Sequence, residues 1–350
     1  MAEDLDQLRW NARCLTLELR ARGIEVSLVD PTAQLLLAKS RTRREYLLET
    51  DSSLFSFSAG TIANHKYLSK LLLQDAGLPV PPGRRFDRTQ LGDALAYAQA
   101  VGGSVVLKPC TAGSGAGVHI GLQTFTEIEL AFERIIRKLG PTVEILVERQ
   151  VAGYEFRIFI ATDGRYAVIH RDPAHVIGNG ADTIEALAEA ESSRRTSPRR
   201  NCLAPIPLDD TVRRYLARTG RSLQDIPGPG EKVYLRANSN VNAGGTAEDW
   251  TDRVHPSVID LAARALSAVP GLPYVGVDFM TADVTVPQAD VEHHLIELNT
   301  NPSIGLHRSP GKGVGRDVAG VMADLLFPET RSGRVPTGPE AIPPASTVGR

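Results

Sequence analysis

The chain has 350 residues and a mass of 37.8 kDa, which at roughly 100–200 residues per domain gives two or three lobes. Hydrophobic residues make up 42%, too many for a wholly disordered chain, and Lys+Arg at 39 against Asp+Glu at 41 gives a net charge of −2, so a basic nucleic-acid footprint is not the default reading. No apolar run is long enough for a membrane helix, the acidic start MAEDLDQLRW is no secretory signal, and Cys14, Cys110 and Cys202 are scattered without a CxxC, which fits a reducing, cytoplasmic setting.

Leu5, Leu8, Leu15 and Leu19 recur at helical spacing and predict a helix over 5–22 that Gly23 stops. Residues 24–29 alternate as a strand does, and 46–57 hold short pieces of strand and loop, giving a small βα-like lobe. A helix over 66–76 closes at Gly77, and PVPPG (79–83) is a rigid connector. A second helix covers 89–100, with Thr89 as N-cap. A strand at 104–107 leads into KPCTAGSGAGVHIG, and a helix follows at 127–139. Residues 145–148, 155–162 and 167–170 read as strands, with a hairpin turn at Asp163-Gly164.

SSRRTSPRRN (192–201) reads as a solvated basic loop or as a lid over an anionic ligand. Residues 205–236 hold a short helix and a Pro/Gly turn. A helix over 256–269 and strands at 274–280 and 292–299 close the core. From Glu329 onward, Pro, Gly, Ser and Arg predict disorder. The expected divisions are 1–60, 61–150, 151–328 and the tail 329–350.

Three stretches carry chemistry. In YVGVDFM and LIELN, period-two alternation places Asp278 on one sheet face and puts Leu295, Glu297 and Asn299 together on another strand's face. Asp278, Glu297 and Asn299 then converge, either as oxygen ligands for Mg²⁺ or as a salt-bridged polar rim. In VVLKPCTAGSGAGVHIG a strand delivers Lys108. Gly113, Ser114, Gly115 and Gly117 then form a glycine-rich cover whose N–H groups can approach phosphate. No GK[ST] follows, so this is not a Walker loop, and Val118-His119-Ile120 reads as a return strand rather than the helix of a dinucleotide fingerprint. In ILVERQVAGYEFRIFI, backbone at Glu148, Arg149 and Val151 can read an adenine edge and Glu155 can accept a ribose hydroxyl. The alternative is an ordinary hairpin with an ion pair. His170, His175 and His307 are not spaced as a metal triad, and Cys110 has no partner base, so it reads as packing or as a neighbour of the nucleotide rather than as a nucleophile.

In this order the motifs resemble the ATP-grasp superfamily of carboxylate–amine ligases. NHKYLSKLLLQDAGLPVPPG is similar to the helix and connector before the nucleotide site of D-alanine:D-alanine ligases, with Lys66 and Lys108 matching the two ATP lysines. ERQVAGYEF matches the adenine hinge with its ribose carboxylate, and DFM with IELNTNPS matches the metal-binding acid and the terminal E-x-N. VIHRDPAHVIGNGADTIEAL, GEKVYLRANSNVNAGGTAEDWTD and IELNTNPSIGLH resemble the glutathione-synthetase half of bifunctional γ-glutamylcysteine synthetase/glutathione synthetases and the ATP-grasp region of cyanophycin synthetases. The likeness runs from about residue 5 to Phe327, without the other domains of those enzymes, and so implies a free-standing ligase module.

The resemblance implies an α+β ATP-grasp fold, with a small N-terminal α/β lobe and two α+β lobes clasping the nucleotide. It implies ATP and one or two Mg²⁺ ions as cofactors. The substrates are amino-acid-like or peptide-like small molecules, with no nucleic-acid or membrane partner, and a homodimer is compatible. The implied reaction is ADP-forming: a carboxylate takes the γ-phosphate as an acyl phosphate and an amine displaces it. Lys66 and Lys108 hold the phosphates, and Asp278, Glu297 and Asn299 hold the metal. Arg157, Arg171 and Arg236 are candidates for stabilising the acyl phosphate, and Asn238, Ser239, Asn240 and Gly244-Gly245 form an acceptor-side loop. A stand-alone glutathione synthetase and an ATP-grasp kinase without an amine acceptor are the alternatives.

Overall fold

The computed structural model describes residues 3–113, 115–195 and 203–331. The first helix is in two pieces, Glu3–Asp6 and Trp10–Ala21, rather than the continuous 5–22 expected. Arg9 between them is extended (φ −61°, ψ 153°), and its N–H donates to Gln34 Oε1 at 2.7 Å, which pins the chain before the second helix starts. Strands Glu25–Asp30, Leu35–Lys39, Arg44–Leu48 and Asp51–Ser52 then form an antiparallel meander. The lobe is thus a helix on a meander, not the βα-like unit expected. The turns put Gln34 and Glu49, not glycine or asparagine, at left-handed φ of 56°, so the usual hairpin signal is missing. Val26, Leu36, Ala38 and Leu47 pack on Leu15 and Leu19 and on Met322 and Leu326 of the C-terminal helix Val318–Leu326.

A second four-stranded sheet has the spatial order Gly83–Phe86, Ile145–Arg149, Val105–Pro109, His119–Leu122, all antiparallel. The glycine-rich segment connects the last two, with His119–Leu122 as the return strand expected. Helices Leu91–Val101 and Phe125–Leu139 bury Ala94, Ala98, Ile128, Phe132 and Ile135 against this sheet. Thr124 and Glu127 close a capping box on the second helix. Thr89 does not cap the first. Gln90 sits at that N-cap without a cap bond, and the Thr89 hydroxyl donates to Asp87 Oδ1 at 2.6 Å.

The third sheet has the order Thr246–Asp249, Tyr166–Asp172, Tyr154–Ala161, Tyr274–Thr281, His293–Asn299. One face buries Phe156, Ile158, Val275, Val277, Phe279 and Leu295 on helices Pro256–Ser267 and Lys66–Asp75. The pairing of the last two strands corrects the simple alternation. Phe279 faces Leu295 but Asp278 faces Glu297, so Ile296 is an extra, bulged residue. Leu295 therefore turns into the core while Glu297 lies opposite Asp278, and Asn299 lies opposite Gly276.

A ribbon of His175–Ile177 and Lys232–Tyr234 with helices Ile184–Arg195 and Asp210–Arg218 forms a small satellite core. Helix 184–195 is absent from the sequence reading because it offers the core only a thin stripe, Ile184, Leu187 and Ala188. Ser192–Arg195, expected as loop, are its last turn, and the remainder of that basic stretch, 196–201, lies outside the described residues. At the C-terminus, Pro328–Thr330 form a 3₁₀ turn, and Glu329 accepts from Ser40 at 2.6 Å and Thr42 at 3.1 Å. The expected disordered tail therefore does not begin at 329, and 332–350 lie outside the described residues. Among the described residues, no helix is long and apolar enough to cross a membrane.

Candidate active site

The site lies where the second and third sheets approach each other. Lys66 begins its helix with His65 as N-cap, and its backbone N–H donates to Cys110 O at 2.8 Å, which ties it to the end of the Lys108 strand. Its Nζ donates to Ala112 O at 2.7 Å and lies 3.3 Å from Glu297 Oε2. One side chain thus touches both the mouth of the glycine segment and the acid on the last strand. Asn299 Nδ2 donates to Glu297 Oε1 at 3.4 Å. Burial pushes the Glu297 carboxyl up, but Lys66, Lys108 and Arg157 overrule it and hold it at about 2. It is a carboxylate at any physiological pH.

Lys108 is buried and pairs with Glu148 Oε1 at 2.5 Å. Burial would lower its pKa, but Glu148, Glu297 and Asp278 raise it on balance, so it stays charged. Glu148 also pairs with Lys70 at 3.1 Å, and Lys70 donates to Pro81 O at 2.7 Å. Lys70 was not singled out in the sequence. Its place four residues after Lys66, on the same helix face, was the available signal. Glu148 is thus enclosed by two lysines. At the hinge beyond it, Arg149 N–H donates to Pro82 O at 2.9 Å, the Arg149 side chain points outward near Glu292, and Val151 is buried.

Gly115 and Gly117 both take left-handed φ, +73° and +74°. A Cβ on Gly115 would come within 3.2 Å of Asn240 Nδ2, and one on Gly117 within 3.3 Å of Pro109. Gly113 has open space around it, and Ser114 lies outside the described residues. Gly115 brings the glycine segment against the 238–245 loop.

That loop is anchored by a residue hidden in the basic run. Arg195 is buried and donates to Gly244 O at 2.7 Å and Gly245 O at 3.2 Å. The loop's Ser239 donates to Glu155. Glu155 sits on its strand opposite Arg171 and pairs with it, so the structure places this carboxylate beside Arg171. Arg171 also reaches Asp278 Oδ2 at 3.4 Å, and Arg157 grips both Asp278 oxygens. Arg236 stands apart, paired with Asp209 at 2.6 Å. Glu155, His170, Arg171, Asp172, Tyr215, Tyr234, Arg236, Ser239 and Met280 are among the residues lining a cavity of about 260 Å³ beside Asp278's neighbours.

Burial pushes His170 and His175 down, and burial with Arg157 nearby pushes His307 to about 3, so it is neutral. Burial and Glu144 push the Cys110 thiol up to about 12, which suits packing rather than nucleophilic attack.

This architecture, with its glycine-rich hairpin facing an acid-bearing strand pair, is the α+β ATP-grasp fold. No family model matches the chain. It is 34% identical over 343 residues to the cyanophycin synthetase of Crocosphaera subtropica, covering 95% of this chain and 39% of that protein. It is 31% identical over 329 residues to the glutathione biosynthesis bifunctional protein of Clostridium perfringens, covering 92% of this chain and 41% of that one. The crystal structure of a bifunctional glutathione synthetase from Pasteurella multocida superposes with a TM-score of 0.66 at 30% identity, over 93% of this chain and 45% of that one. The chain spans about two fifths of the length of these curated relatives.

Proposed function

We propose that this chain is an ATP-dependent, ADP-forming ligase that joins a carboxylate to an amine through an acyl phosphate, with amino-acid-like or peptide-like substrates. The observation that carries this reading is the contact of Lys66 with both Ala112 O and Glu297, which brings the phosphate-side lysine and the metal-side acid to one point. The similarity to cyanophycin synthetases and bifunctional glutathione enzymes supports the same chemistry.

Asp278, Glu297 and Asn299 supply hard oxygen donors on one sheet face, with Glu297 ionised, and this donor set fits Mg²⁺. The ion would neutralise phosphate charge when bound. Lys66 and Lys108 would hold the phosphates, and the backbone at 148–151 the adenine edge. The cavity that Arg171 and Arg236 share would take the carboxylate and amine substrates, with guanidinium forks suited to an acyl phosphate. Because the phosphoryl group is highly charged, the protein's part is positioning and charge neutralisation. Cys14 and Cys110 are buried and neither is in a disulfide, which supports a reducing, cytoplasmic setting.

The test is Glu297→Gln, assayed for ATP-dependent phosphate release across pairs of amino acids, with γ-glutamylcysteine plus glycine among them. The variant should fold and lose turnover, because removing one carboxylate leaves phosphate charge uncompensated. Near-normal turnover in a folded Glu297→Gln protein overturns the metal assignment.

A further inference from the structure

Three arginines surround the candidate site, and each is held differently. Arg157 is buried, and its Nε and Nη2 take both oxygens of Asp278. Its Nη1 donates to Ser303 Oγ at 3.1 Å and Asn301 O at 3.4 Å. The space beside it exists because residue 276 is glycine: a Cβ there would come within 3.2 Å of Arg157 Cδ and 3.0 Å of Pro302 Cα. Ser303 takes the left-handed φ of +67° in the same turn, a conformation that costs a serine energy and persists only where its surroundings fix it. Arg157 is therefore walled in, with all three of its guanidinium nitrogens committed.

Arg171 is held far more loosely. Its Nη2 is shared between Glu155 and Asp278 Oδ2, the latter at 3.4 Å, at the outer limit of a hydrogen bond, and its buried Nε has no partner. It lines the cavity. Arg236 lines the same cavity but pairs with Asp209, not with an acid of the candidate metal set.

Charge gives the third observation. Glu148, Glu155, Asp278 and Glu297 are four carboxylates, paired with five cations, Lys66, Lys70, Lys108, Arg157 and Arg171, which leaves one net positive charge. A divalent cation entering alone meets like charge, whereas one entering with a triphosphate does not.

We propose that Arg157 is a fixed clamp that orients Asp278, while Arg171 is a resident cation on Asp278 Oδ2 that an arriving divalent ion displaces. Glu155 acts as the pivot on which the Arg171 guanidinium turns into the cavity, toward the phosphoryl oxygens of the substrate. The divalent ion then enters together with the nucleotide rather than before it. This rests on reading Asp278, Glu297 and Asn299 as the metal set. It divides the arginines into one positioning residue, Arg157, and one that reaches substrate, Arg171.

The test uses Mn²⁺ as the probe, titrated into the full chain and followed by electron paramagnetic resonance, with and without a non-hydrolysable ATP analogue. In the wild type the analogue should tighten Mn²⁺ binding by roughly tenfold or more. Without nucleotide, Arg171→Met should tighten Mn²⁺ binding by about tenfold. Arg236→Met removes the same charge without touching Asp278 and should leave that affinity within about twofold. Equal tightening in the two variants, or none in Arg171→Met, overturns the proposal, as does wild-type Mn²⁺ binding that is equally tight with and without the analogue. If Arg171→Met does not fold, Arg171→Gln and the wild-type comparison decide. Absence of Mn²⁺ binding even with the analogue overturns the metal assignment itself and the proposal with it, an outcome distinct from the others.

Discussion

Lys108 is the residue on which the nucleotide reading leans hardest. Its ammonium is buried against Glu148 and feels Glu297 and Asp278 as well, so its charge is fixed in place before any phosphate arrives. Lys108→Ala should weaken ATP binding by roughly 1.5–3 kcal/mol, the range for a hydrogen bond to a charged group. Calorimetry showing unchanged affinity would remove Lys108 from the phosphate site. His307 gives a residue-scale prediction about stability. Burial and Arg157 hold its folded pKa at about 3 against an ordinary 6.5, so the unfolded chain takes up a proton that the folded chain refuses. This contribution is complete above pH 6.5 and is lost as pH falls from there toward 3, by up to about 1.4 kcal/mol per pH unit. His307→Leu should flatten urea-unfolding stability between pH 6 and 4. An unchanged slope would show that the loss comes from other groups. Asp278, Glu297 and Asn299 were legible as a converging set because alternation holds within 276–278 and within 297–299, over which the register is unbroken. Lys70, Arg195 and Ser303 were not, because each is defined by partners brought in from distant segments: Glu148 for Lys70, the Gly244 and Gly245 carbonyls for Arg195, and Arg157 for Ser303.

At the scale of elements, two backbone features aim the site. The bulge at Ile296 turns Glu297 to the side of Asp278 while Leu295 stays in the core. Strict alternation had put Leu295 and Glu297 on one face. The set was still recognised, but the geometry behind it was not, because a bulge with no glycine leaves no mark in the sequence. The N-terminal meander was missed for the same kind of reason, its turns resting on Gln34 and Glu49. The second feature is Gly153, at φ +132°, where the hinge crosses the acid-bearing strand. A Cβ there would sit 2.6 Å from the Thr281 carbonyl oxygen. Gly153→Ala should cost about 2–3 kcal/mol or more, since strain and a backbone collision combine and no flexible side chain can yield. Thermal unfolding checks this, and a melting temperature equal to that of the parent would show that the strands can separate there at little cost.

At the scale of the whole molecule, the candidate site draws from three bodies of structure. The glycine-bearing sheet brings Lys108, the five-stranded sheet brings Asp278, Glu297 and three of its neighbouring charged groups, and the satellite core holds the loop that meets Gly115. The positive groups gather toward the glycine segment and the cavity, where the far end of a triphosphate and an acyl phosphate would need neutralising. The central claim is therefore about reaction course. Incubating the full chain with ATP, Mg²⁺ and the carboxylate–amine pair that gives phosphate release, then resolving the nucleotides by chromatography, tests it most directly. ADP and phosphate should form in equal amounts, with sustained turnover only when both carboxylate and amine are present. AMP and pyrophosphate as the main products, or ADP formation that continues undiminished without the amine, would contradict it.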